Sequence, residues 1–87
     1  MRTDIDYDRR GLAKLMLRLP ALRGELQLMA ARDAGFLNLC GAFDEASTML
    51  GKLRKKNDEK DRFIEEEYEL IVAQIELEVI NMLARID

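Results

Sequence analysis

Apolar residues recur at steps of three and four along almost the whole chain. Leu12, Leu15, Leu19, Leu22, Leu26 and Met29 form a first ladder. Phe36, Leu39, Phe43, Ala46, Leu50 and Leu53 form a second, and Ile64, Tyr68, Ile71, Ile75, Val79, Met82 and Ile86 a third. Each helical residue turns the chain by about 100°, so side chains at this spacing share one face of an α-helix. The pattern predicts an all-α fold with helices at about 7–31, 34–56 and 59–86.

The signals between the ladders set their boundaries. Asp6 or Asp8 is placed to cap the first helix. Pro20 interrupts that helix, because proline lacks a backbone donor and clashes with the preceding turn. The leucine ladder keeps its phase through Pro20, which favours a bend over a fresh start. Asp33, before Phe36, is a cap for the second helix, and Lys52, Arg54, Lys55 and Lys56 suit its negative C-terminal end. Asn57 tolerates a left-handed turn, and Asp58 can cap the next helix. These signals predict a kinked N-terminal helix and then a long antiparallel helical hairpin. The competing arrangement is one uninterrupted helix from Asp33 to Asp87, since neither Gly nor Pro marks the turn.

The last ladder repeats every eleven residues (Ile64, Ile75, Ile86), whereas the second repeats every seven, so the two do not share a long regular supercoil. Off the main face of the last helix runs another line, Phe63, Leu70 and Leu77, again at seven-residue spacing. A helix apolar on two faces has two things to pack against. The second line either completes the core beneath the first helix or forms a subunit interface, and a dimer closing a larger helical bundle is the preferred expectation.

Length and composition support this preference. A chain of 87 residues has a thin margin of stability by itself, and association lets more apolar surface leave water. Charge is unevenly divided. Residues 1–56 carry eleven Lys/Arg against seven Asp/Glu, a net of +4, and residues 57–87 carry three against ten, a net of −7. The two regions should attract when the last helix packs on the others.

Candidate chemistry is sparse. There is no histidine, which removes the commonest general acid–base group and the commonest metal ligand. Glu65, Glu66, Glu67, Glu69, Glu76 and Glu78 read as a solvated helix face. Cys40, beside Phe36 and Phe43, reads as a small apolar core residue, and Ser47 and Thr48 as ordinary helix residues. No phosphate-binding loop, dinucleotide fingerprint or nucleophile elbow occurs. No enzyme activity, catalytic residue, cofactor or metal is expected. Arg10, Lys14 and Arg18 form a basic ridge on the first helix, and a small nucleic-acid-associated regulator using that ridge is the alternative function. With no signal-peptide pattern or spanning apolar run, a soluble cytoplasmic protein without membrane contact is expected.

Two resemblances bear on this reading. Arg2, Ile5 and Asp6 ahead of a leucine-rich helix resemble the start of the small all-helical chorismate mutases. Those enzymes need a late glutamine, where this chain offers Glu76, Glu78 and Asn81 with Gln74 out of place, so the likeness is set aside. The pattern Asp33-x-x-Phe36-x-x-Leu39-Cys40-x-x-Phe43-x-x-Ala46, with Glu67-Tyr68-x-Leu70-Ile71 after a charged turn, resembles a group of short bacterial helical-hairpin proteins. That group commonly has proline where this chain has Ala34. The resemblance implies a hairpin and a bacterial origin, and no activity.

Overall fold

The computed structural model describes residues 3–85, with side chains over residues 7–85. Four α-helices succeed one another: α1 (Thr3–Arg18), α2 (Arg23–Arg32), α3 (Ala34–Lys56) and α4 (Arg62–Ala84). Short 3-10 turns at Pro20–Leu22 and Glu59–Asp61 precede α2 and α4. The fold is all-α, with no strand among the described residues.

The first predicted helix is two helices rather than one bent rod. Leu19 N still donates to Leu15 O at 2.8 Å, but Leu19 itself sits at φ −126°, ψ 64°. The cause is the ring of Pro20, which drives the preceding residue out of the helical region. Pro20 then occupies the first position of the 3-10 turn, where a missing N–H costs nothing. The leucine ladder keeps its phase across this break because α1 and α2 press the same side into one core: Leu15 and Leu26 are fully buried, with Leu12, Leu19, Leu22 and Met29 packed around them. At its other end α1 already begins at Thr3, so neither Asp6 nor Asp8 caps it. The side chains of Asp6 and Ile86 lie outside those described.

Asp33 closes one helix and opens the next. Its N–H donates to Met29 O at 2.9 Å, and its carboxylate accepts from Phe36 N at 3.1 Å. The α3 helix ends at Asn57, which adopts φ 50°, ψ 48° and donates its N–H to Leu53 O. That left-handed residue ends the helix, so no continuous rod runs from Asp33 to Asp87. Asp58 caps the 3-10 turn by accepting from Lys60 N, and α4 starts only at Arg62.

The core is built on α3. Phe36, Cys40, Phe43, Ala46 and Leu50 line it, with Leu15, Leu26, Val72, Val79 and Leu83 from the other helices. Full burial of such a side chain stabilises by about 1.5–3 kcal/mol. The burial pushes the Cys40 thiol up to about 12, with the Asp8 carboxylate adding to the effect.

The tightest approach joins α1 to α3. A Cβ on Gly11 would collide with the backbone carbonyl of Cys40, and one on Gly41 would collide with the Asp8 carboxylate. The absence of side chains here lets the two backbones close on each other. Gly51, in contrast, has nothing near its missing Cβ. Gly11→Ala should therefore overpack the crossing and lower stability by about 1–3 kcal/mol. Gly51→Ala should raise it by up to about 1 kcal/mol, the ordinary gain for a helix interior. Urea unfolding of the two variants should move the midpoint in opposite directions.

Candidate subunit interface

On α4 the buried positions are Val72, Val79 and Leu83, while Tyr68, Ile75 and Met82 are half-buried. Ile64 and Ile71, expected on the inner face, are exposed. The inner face is thus turned by about 60° from the one expected. Ion pairs account for the rotation. Arg18 of α1 holds Glu76 through two hydrogen bonds of 3.0 Å, and Arg54 of α3 donates to Glu69 at 3.0 Å and lies 3.8 Å from Glu65. These acids mark the edge of α4 drawn toward its neighbours. The hydrogen bond to Glu76 holds the Arg18 pKa above its ordinary value against the opposing effect of burial. Opposite charges in the two parts of the sequence do meet here.

Phe63, Leu70 and Leu77 point away from the core. Phe63 and Val72 are nine residues apart, as are Leu70 and Val79, and nine helical steps leave about half a turn between them. Phe63 is 70% exposed, Leu70 63% and Leu77 58%. Helix α1 does not cover them, so they do not complete the intrachain core. Together they form an apolar row on the outside of α4.

The second predicted set, Arg10, Lys14 and Arg18, is drawn into the fold. Arg10 grips Asp44 with two hydrogen bonds of 3.1 and 3.0 Å. Lys14 Nζ lies 2.8 Å from the same carboxylate and donates to Ser47 Oγ and Thr48 Oγ1 at 3.0 Å each. Arg18 is taken by Glu76 and also lies over the Phe43 ring, 5.7 Å from its centroid. The ridge is therefore a row of anchors from α1 to α3 and α4. Ser47 and Thr48, read as ordinary helix residues, complete the polar shell around Lys14.

Asp44 carries no signal of its own in the hydrophobic pattern, yet it is fully buried. Burial acts to raise its pKa, but the hydrogen bonds from Arg10 and Lys14 and their positive charge outweigh it, leaving the carboxyl below its ordinary value. Its neighbours could have revealed it: Asp44 adjoins Phe43 on a helix whose nearby positions, Cys40, Ala46 and Leu50, are apolar. A carboxylate among them requires a cation, and α1 carries two in adjacent turns.

Among the described residues, no group of three or more His, Cys, Asp or Glu is placed to hold a metal ion. No helix among them is long and apolar enough to cross a membrane. Comparison with protein-family models, with curated proteins and with solved structures finds no match.

The Asp44 cluster generates a pH prediction. A carboxyl whose folded pKa is depressed contributes stability that is complete above its ordinary value of 3.8 and is lost as pH falls through the folded value. Asp44→Asn should flatten that acid limb of an unfolding curve measured by circular dichroism. At neutral pH it should cost about 2 kcal/mol, less than the loss of a fully buried pair, because Arg10 and Lys14 are partly hydrated.

Proposed function

We propose that the protein is a non-enzymatic helical module that works by contact between proteins, and that it self-associates through the outer face of α4. On this reading α3 and α4 act as an antiparallel hairpin, and two copies form a larger helical bundle. The observation that carries it is the exposed row of Phe63, Leu70 and Leu77, set opposite the buried Val72 and Val79. Three large apolar side chains contiguous on one strip of a helix make a patch of the size that often marks a contact site on a folded chain.

A role in contact rather than catalysis also fits the sparse candidate chemistry. The single cysteine is buried with its thiol pushed up to about 12, and no histidine can activate it. The alternative, binding of nucleic acid by Arg10, Lys14 and Arg18, has less support. Phosphate binding draws on cations that can leave water for phosphate, and here Asp44 and Glu76 already hold these three.

Leu70→Glu combined with Leu77→Glu tests the proposal. In sedimentation equilibrium the parent chain should show a mass near twice 10.0 kDa, and the double variant should fall to the single mass with its helical circular dichroism retained. A parent chain that stays monomeric throughout the micromolar range would overturn the reading. Loss of helix together with assembly would show that the two leucines belong to the fold itself.

A further inference from the structure

We infer that the two copies meet antiparallel along a heptad seam of α4, with Phe63 of each protomer facing Ile80 of the other. This rests on the self-association proposed above and adds its partner geometry. Phe63, Glu66, Leu70, Ala73, Leu77, Ile80 and Ala84 keep a strict alternation of three- and four-residue steps, the spacing of a coiled-coil seam. Every one of them is exposed. Phe63, Leu70, Leu77 and Ile80 are 70%, 63%, 58% and 37% exposed, which makes the seam a patch of the size, roughly 300–600 Å², of the largest on single chains, where such patches are often functional. With a polar rim this approaches the ~800 Å² per partner of a stable interface.

The charges beside the seam fit a second copy. Glu69 and Glu76 line one edge, and each is already held by an arginine of its own chain, Arg54 or Arg18. The other edge carries Glu67, Gln74 and Asn81, one acid among two amides. The acids of the first edge therefore do not call for a strongly basic partner.

Glu66 decides the direction. In a parallel, in-register pair each seam residue meets its own duplicate. The two Glu66 carboxylates would then face each other across the seam, a like-charge contact taken out of water. Ala73 against Ala73 would also leave a thin layer between thick leucine layers. Antiparallel pairing centred between residues 71 and 72 removes both faults. Phe63 faces Ile80 of the partner subunit, Leu70 faces Ala73 of the partner subunit, and Leu77 covers the methylene stem of Glu66 of the partner subunit. At 1.5 Å per residue the two Glu66 are then about 16 Å apart along the axis, Glu67 lies beside Gln74 of the partner subunit, and Glu69, which lies beside Glu76 of the partner subunit on the other edge, is like it held by an arginine of its own chain.

Spin-label distances test the direction separately from association. A nitroxide is placed on Asn81→Cys and, in a second protein, on Arg85→Cys, both in a Cys40→Ala background. That background keeps the Gly11 crossing, whose contact is with backbone. Sedimentation and circular dichroism first establish that each labelled protein is folded and dimeric. Antiparallel pairing gives an intersubunit distance of roughly 30 Å at position 81 and about 12 Å more at position 85. Short distances that change little between the two sites would mean parallel pairing and overturn the inference while leaving association intact. A dimeric mass with no measurable coupling at either site would place the contact on another surface and overturn it as well. A monomeric mass for the unlabelled parent chain would remove the underlying proposal.

Discussion

The carboxylate of Asp44 is the constraint around which α1 and α3 are arranged. An aspartate in a helical core is stable as an ion only if cations come to it, and the cations stand on a different helix thirty-odd positions earlier in the chain. Arg10 and Lys14 reach it because α1 lies against α3 with no side chain between the backbones at Gly11. The close crossing and the buried ion pair thus depend on each other. A wider gap would strand the acid, and an unpaired acid would push the helices apart. Apolar packing supplies most of the driving force, while this cluster fixes the registration of α1 on α3, since few other alignments bring two cations to one carboxylate and set one of them, Lys14, against two hydroxyls as well.

Helix α4 is fixed differently. Its inner face is mostly aliphatic and would tolerate some rotation, but Glu65, Glu69 and Glu76 are tied to arginines on α3 and α1. Each exposed pair contributes only a fraction of a kcal/mol up to about 1 kcal/mol. Several pairs on one edge nevertheless act together to hold α4 in the rotation observed. The chosen rotation sends Val72 and Val79 inward and leaves the Phe63–Leu70–Leu77 row in solvent. Electrostatics along the helix edge thus contributes to which apolar surface is left in solvent.

Much of the secondary structure is legible in the sequence because its signals are local. Asp33 and Asp58 cap through side-chain hydrogen bonds spanning two to three residues, and Asn57 takes a left-handed geometry that its residue type tolerates. At Pro20 the sequence suggests a bend, because phase continuity records only which side of the chain is apolar. Two separate helices pressed into the same core show the same continuity as one bent helix. The rotation of α4 is hidden for a related reason: hydrophobic period identifies an apolar sector but not its edge, and here the edge is set by Arg18 and Arg54, distant in sequence. Asp44 shows in the sequence only as a carboxylate among apolar neighbours, and Gly11 shows nothing, because the meaning of both is tertiary. One needs cations from another helix, and the other matters only when a second backbone is known to pass over it. The exposed row on α4 is visible as a second stripe, but its position outside the core depends on where α1 runs.

Cys40 gives the molecule an internal chemical clock. Its sulfur is sealed where α1 crosses α3, and the surroundings that hold the thiol protonated also suppress the anion that alkylating reagents attack. Modification must wait until α1 lifts away. The rate at which this one natural thiol is consumed therefore counts the openings of the helix crossing, in a chain that needs no added label to report them.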